Sequence, residues 1–200
     1  MVHRPLRKNY NLWLFVCLLP VVLLLLSALL VAKSGWLQSA LLSAHSEHPV
    51  EAKGEYMALV SDSYQPSARF TANEAAHMRD VDALFRTLEF LLLGLMVVLA
   101  GLGYLVRSEL RRALVWGGGI LFILLFISSV VSFDPLFDVF HRVFFPQGNF
   151  AFPPGSLLIA YYPESYFAAN AFWMGVVAFV LSLASITAGW MIGRRHRAQS

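Results

Sequence analysis

The sequence predicts an all-α integral membrane fold: a four-transmembrane-helix bundle carrying two helical or looped segments outside the bilayer. Three observations predict it. The 200 residues are 58% hydrophobic and only 14% charged, with a mean hydropathy of +0.63, whereas soluble domains carry about a quarter charged residues. Four apolar runs, 12–32, 90–106, 113–131 and 167–192, approach or exceed the roughly 20 residues that cross a hydrocarbon core of about 30 Å. Finally, Arg4, Arg7, Lys8, Arg107, Arg111, Arg112, Arg194, Arg195 and Arg197 cluster at the termini and in the turn after the second run, with Glu109 the one acid among them. Every other acid lies between 33 and 89 or between 132 and 166. The positive-inside rule then expects both termini and the 107–112 turn in the cytoplasm, with segments 33–83 and 132–166 facing outward together. The chain, 1–200, reads as a single membrane domain. It has no basic tail interleaved with aromatics, so nucleic acid is not an expected partner. The lone Cys17 permits neither an internal disulfide nor a CxxC or structural zinc site. Oligomeric state is not written in the sequence.

Taken in order, the first run follows basic residues as a signal peptide would. Its apolar stretch exceeds an h-region of about 7–15 residues and no clean cleavage site follows, so it reads as a retained anchor. Trp36 marks an interfacial position. Residues 39–50, polar and broken by Pro49, read as a loop; His45 and His48 are spaced for a metal but lack a third ligand. The stretch 51–61 has helical spacing through Tyr56, Met57 and Val60 and is expected to form a small peripheral cap. Thr71 and Glu74 spell a capping box, opening a helix that runs from Ala72 without Gly or Pro into the second span. His77 is then about four turns before Phe90. His77, Asp80, Val81 and Leu84 share one face; Asp82, Arg86 and Glu89 share another, where Asp82 and Arg86 can pair. Gly94, Gly101, Gly103 and the glycines at 117–119 read as helix-packing positions, and Ser182, Ser185 and Thr187 as residues that bond back to their own helix.

The stretch 133–167 is too polar and proline-rich to span. Asp134 before Pro135 predicts an N-cap with proline at the first helical position, opening a helix over 134–145. Phe133, Phe137, Phe140 and Phe144 fall on one face, with Asp134, Asp138 and His141 beside them. That pattern predicts an interfacial helix with Phe137, Phe140 and Phe144 toward lipid. The two outer segments thus supply one histidine each, His77 and His141, and each has an acid three residues away. A carboxylate can orient an imidazole, but a solvated face and an interface-filling histidine explain the same residues.

At these residues the sequence resembles a known family. The stretch 70–81 reads F-x-x-x-E-x-x-H-M-x-D-V, 140–145 reads F-H-x-x-F-F, and 158–167 reads L-I-x-x-x-P-E-x-x-F. The resemblance is to the bacterial integral membrane proteins of the lipoprotein intramolecular transacylase family. It departs after F-H-x-x-F-F, where the family carries Trp and F-D-P and this chain carries Phe150 and Phe152-Pro153-Pro154. The resemblance implies a membrane acyltransferase of the bacterial inner membrane, working on its outer side. The sn-2 acyl chain of a diacylglyceryl lipoprotein would move to the α-amine of the lipoprotein's N-terminal cysteine, leaving a lyso form. It implies His77 and His141 as catalytic residues, with Asp80 and Asp138 supporting them and Arg142 and Tyr162 on substrate. Membrane lipid is the other partner, no metal is involved, and proximity within one anchored molecule means no cofactor is required. The chemistry is consistent with this: an α-amine with a pKa near 8 needs a base, and an imidazole can take or give the proton. A metal-dependent membrane lipid hydrolase and a non-catalytic tetraspan envelope protein remain the alternatives.

Overall fold

A computed structural model describes residues 10–61 and 63–198 of the chain, with side chains through Arg194. Arg4, Arg7 and Lys8, and the side chains of Arg195 and Arg197, lie outside the described residues. Eight helices follow one another: α1 Tyr10–Ala32, α2 Gly35–His45, α3 Pro49–Leu59, α4 Ala72–Leu105, α5 Leu110–Ser128, α6 Phe133–Phe144, α7 Leu157–Tyr161 and α8 Glu164–Ala198. No strand occurs among the described residues. Four helices, α1, α4, α5 and α8, are long and apolar enough to cross a membrane.

The hub of the bundle is α1, which packs against α4, α5 and α8 and is the most buried of the four. Its Leu12, Phe15, Val16 and Leu19 meet Leu102, Val106 and Ala113 in one apolar cluster. The tightest pairing joins α5 to α8. Serine makes it so: Ser182 Oγ donates to the Gly118 carbonyl at 2.8 Å, and Ser185 Oγ to the Leu114 carbonyl at 3.0 Å. Both hydroxyls therefore cross to the neighbouring helix rather than bonding back to their own. A Cβ on Gly118 would stand 3.0 Å from the Ser182 carbonyl, so only glycine allows that approach. Gly94, Gly101 and Gly119 have open space where a Cβ would go and are not packing positions.

Segments 33–71 and 129–163 meet at one end of the bundle. The expectation of a loop over 39–50 and a peripheral cap after it is overturned there. α2 covers most of the supposed loop, and Pro49 opens α3, where its missing N–H costs nothing. Leu37, Leu41, Leu42, Ala52, Tyr56 and Leu59 from these helices form the largest core cluster with Tyr64, Phe70, Met78, Leu158, Tyr161, Tyr162 and Tyr166. Polar atoms inside this core are paired. Gln38 Nε2 donates to the Val31 carbonyl at 2.9 Å and to Asn170 Oδ1 at 2.7 Å, while Tyr166 donates to Gln38 Oε1 at 2.5 Å. Tyr56 reaches the Ala32 carbonyl at 2.7 Å, and Tyr64 donates to Glu55.

The capping box forms as expected. Thr71 N–H and hydroxyl each donate to Glu74 Oε2 at 2.8 Å, and Glu74 N–H returns to Thr71 Oγ1 at 3.3 Å. Its other oxygen does more: Leu158 N–H in the first turn of α7 donates to Glu74 Oε1 at 2.9 Å. One buried carboxylate thus serves the starts of two helices separated by 84 residues. From that fixed start α4 runs unbroken to Leu105.

α6 begins one residue earlier than the sequence predicts. Ser132 has the extended N-cap backbone, so Asp134 is not the cap and Pro135 is the third helical residue. Proline is tolerated at that position because none of the first four helix N–H groups has an intrahelical acceptor. Its exposed ridge also differs from the one expected to face lipid. Leu136, Val139 and Val143 are exposed, with Phe140 and Phe144 at its margin, whereas Phe137 turns inward onto His141 and Phe167.

A histidine pair in an aromatic cage as the candidate functional site

Two elements with no sequence proximity supply the imidazoles. His77 sits in the second turn of α4, positioned by the Thr71–Glu74 cap, roughly 20 Å along the helix from the apolar run that starts at Phe90. His141 sits in the last turn of α6, and its Nδ1 lies 2.8 Å from the Phe137 carbonyl oxygen. A carbonyl only accepts, so Nδ1 carries the proton and Nε2 is left to exchange one. The rings lie nearly parallel, with centroids 6.3 Å apart and an interplanar angle of 22°. Both are buried, at 7% and 8% exposure.

Phenylalanines close round them. Phe145, itself 2% exposed, touches both rings, with centroids 4.8 Å from His77 and 5.7 Å from His141. Phe152 stands edge-on to His77 at 5.5 Å, while Phe137 and Phe150 lie 4.1 and 5.2 Å from His141. Phe150 and Phe152 are the positions at which the sequence departs from the family pattern, and both form the cage wall. Burial, and then the neighbouring His141, lower the proton affinity of His77 below the ordinary imidazole range; Asn149 and Asp80 oppose that shift without reversing it.

The supporting residues fall differently from expectation. Asp80 acts on His77 by charge, while its Oδ2 accepts from Gln147 Nε2 at 2.8 Å and from Asn149 Nδ2 at 2.6 Å. Asp138 does not stand behind His141 either, because it pairs with Arg142 at 3.2 Å one helical turn along α6. Arg142 is accordingly exposed beside its own acid rather than aimed at the rings. Tyr162 lies in the tyrosine core, with its hydroxyl directed to the Ala52 carbonyl at 3.3 Å. For Asp80 and Asp138 the spacing misled, because i,i+3 proximity does not say where a flexible carboxylate will find its partner.

Asn149 is the residue the sequence did not reveal. Gly148, with φ of +76°, turns the chain after α6 in a conformation that L side chains rarely adopt. The turn brings Gln147 and Asn149 onto the same oxygen of Asp80. Asn149 Oδ1 and His77 Nδ1 are buried without a well-aligned hydrogen bond, although the Asn149 side chain acts on the His77 ring as a hydrogen-bonding group and favours its protonated form. No local pattern signals this, since Asn in a Gly-Asn turn ordinarily reads as turn chemistry alone.

Comparison with known proteins agrees with this architecture. A family model described as "Lipoprotein intramolecular transacylase Lit" matches residues 12–167. Among solved structures, the in meso structure of the membrane integral lipoprotein intramolecular transacylase Lit from Bacillus cereus superposes with a TM-score of 0.79 at 18% identity, covering 94% of this chain and 96% of that one. A histidine-to-arginine mutant of the same Bacillus cereus protein gives a TM-score of 0.77 at 16% identity, with 95% and 93% covered. At such identities the likeness establishes the fold. No curated protein sequence is significantly similar.

Proposed function

The chain belongs to the lipoprotein intramolecular transacylase family, and from that premise we propose that it moves an acyl chain from oxygen to nitrogen within one diacylglyceryl lipoprotein. The donor is the sn-2 ester, the acceptor is the α-amine of the N-terminal cysteine, and the product is a lyso lipoprotein. The observation that supports this most is the meeting of His77 and His141, from separate segments, inside one aromatic cage.

In this reading His77 is the base. Its lowered proton affinity keeps it neutral at working pH, and attack on the ester carbonyl makes the amine nitrogen acidic enough for such a base to deprotonate it. His141, with Nδ1–H committed to Phe137, gives a proton from Nε2 to the departing glycerol oxygen. Proton transfer from His77 to His141, across the 6.3 Å that separates their centroids, resets the pair. The sum is one N–H exchanged for one O–H and one ester for one amide, with no cofactor required. Because both reacting groups belong to one anchored molecule, holding them in a shared cage supplies much of the rate. Asp80 acts on His77 by its charge and holds Asn149, the amide beside the ring.

The membrane reading extends to orientation. We assign the end that carries α2, α3, α6 and α7 to the outer face of the bacterial inner membrane and both termini to the cytoplasm, on the strength of Arg107, Arg111, Arg112 and Arg194 at the opposite end. Reporter fusions after Lys33 and after Glu109 test it; an outward Glu109 overturns it. The activity itself is tested by mass spectrometry of a lipoprotein's N-terminal peptide, with and without this chain expressed. Appearance of an N-acyl, lyso-glyceryl cysteine supports the reading, and an unchanged diacylglyceryl peptide defeats it.

A further inference from the structure

We infer that α1 and α4 together hold a phospholipid whose headgroup carries both a phosphate and a primary ammonium, at a site separate from the histidine cage. Asp82, Arg86 and Glu89 lie four and three residues apart and so stack on one face of α4. That face is turned roughly 120–180° from His77, at about 100° per residue. Lys33, just past the end of α1, reaches across to it, with Nζ 2.6 Å from Glu89 Oε1. Nearer the start of α4, Arg86 Nε donates to both carboxylate oxygens of Asp82, at 3.2 and 3.1 Å. Ion pairs as exposed as these stabilise a fold little. Their placement says more: both pairs line one cavity of about 130 Å³, shared with Leu59 and Phe85. That is room for several waters or for one small polar headgroup.

The cavity does not end at the charges. Leu29, Lys33 and Glu89 also head a groove of about 390 Å³ that continues along the seam between α1 and α4. Its floor is Leu29 and Leu92, both buried, and its rims include the exposed Leu30, Leu93 and Met96. From Glu89 to Met96 the helix advances roughly 10 Å, against about 15 Å for the hydrocarbon depth of one leaflet. A polar chamber opening into an apolar trough of that length fits a lipid with its acyl chain in the seam. The charges specify the headgroup. Two cations and two acids sum to zero, so a purely anionic headgroup meets as much repulsion as attraction. A zwitterion matches both signs. Its phosphate, next to the glycerol, comes level with Lys33 and Arg86, where Glu89 takes one of the three donors of the Lys33 ammonium. Its own ammonium, farther from the chains, comes to Asp82, farther along α4 from the apolar run. Glu89 lies roughly 18 Å along α4 from His77, so this lipid is a resident ligand, independent of the acyl transfer proposed above.

The full-length protein, purified in detergent, is titrated with three lipids of identical chains: phosphatidylethanolamine, phosphatidylglycerol and diacylglycerol. Bound lipid is counted by native mass spectrometry. Wild type should bind phosphatidylethanolamine about ten-fold more tightly than either of the others. Asp82→Asn should bring it down to the level of phosphatidylglycerol, and Leu30→Trp, on the exposed rim, should weaken all three by filling the groove. His77→Ala should leave the preference intact. Equal affinity of wild type for the three lipids, or a preference for phosphatidylglycerol, overturns the inference whether or not lyso product is made. Tight phosphatidylethanolamine binding that survives either Asp82→Asn or Leu30→Trp, or that disappears in His77→Ala, puts the lipid elsewhere and overturns the site. The wild-type comparison decides the headgroup even should a variant fail to fold.

Discussion

The tyrosine core and the histidine cage lie side by side at one end of the bundle, and they treat buried polar atoms in opposite ways. In the core, built from α2, α3, α7 and the start of α8, Gln38, Tyr56, Tyr64, Tyr162, Tyr166 and Asn170 all find hydrogen-bond partners. In the cage, His77 Nδ1 and Asn149 Oδ1 lack a well-aligned hydrogen bond, and the two side chains interact loosely with each other. The same aromatic-rich composition thus yields a finished network in one place and an open one beside it. On the acyl-transfer reading proposed above, stability resides in the first region and reactivity in the second, with Glu74 at their boundary.

That contrast can be broken from either side, and the largest effect is expected on the reactive side. His77→Ala or His141→Ala should each cut lyso-product formation by about 10²–10⁴-fold, and the double variant should lose little more, since the rings act as a unit. Each truncation leaves a space in the cage, and His141→Ala also gives up the Nδ1–H bond to Phe137, so a modest fall in the melting temperature is expected, smaller than the loss of activity. A fall in stability as large as the fall in activity would erase the distinction between the regions.

Next in size comes the boundary. Glu74→Ala removes the acceptor of Thr71 and Leu158 together, and the expected loss is about 3 kcal/mol, read as a lowered unfolding midpoint. Activity should fall with it, since the start of α4 sets the position of His77. A variant as stable as wild type would show that the cap is not what couples core and cage.

A smaller loss is expected within the core. Tyr166→Phe takes the donor from Gln38 Oε1 and should cost about 1–2 kcal/mol while leaving the turnover rate within about two-fold. A large kinetic effect from this change would mean that the core reaches into the chemistry.

The subtlest prediction concerns pH. Burial disfavours the charged ring, so His77 should stay neutral as pH falls through the ordinary imidazole value near 6.5, visible as a histidine ¹⁵N resonance that does not titrate between pH 8 and 6. The unfolded chain binds that proton first, so this residue's contribution to stability declines as pH drops below about 6.5. A His77 resonance that titrates with a midpoint of 6.5 or above would contradict the desolvated base.

Legibility in the sequence followed how local each cause is. The Thr71–Glu74 cap, the unbroken α4 and the Asp82–Arg86 pair at 3.1 Å could all be read because their partners lie within four residues. The four spans could be read from hydropathy alone. The meeting of His77 and His141 needed more, namely charge distribution and family likeness, because 64 residues separate them. What escaped was set by distant partners. Helix α2 hid because Ser and His dilute its apolar positions until α3, α7 and α8 cover them. Ser182 and Ser185 look identical in sequence whether they bond to their own helix or the next. Asp80 beside His77 suggested a direct carboxylate–imidazole pair, and only the turn at Gly148 shows that an amide stands between them.

The exposed ridge of α6 has a kinetic meaning. Leu136, Val139 and Val143 face away from the protein, and on the margin of that ridge Phe140 packs onto His141 and Phe145 while Phe144 packs onto Phe140. On the proposed function, in which that ridge lies among acyl chains, a lipid-anchored substrate would meet the cage by travelling sideways in one leaflet. Encounter is then a search in two dimensions, and the concentration that governs it is substrate per lipid rather than substrate per litre. Diluting vesicles in buffer leaves the rate per vesicle unchanged, whereas diluting the membrane with inert lipid slows it.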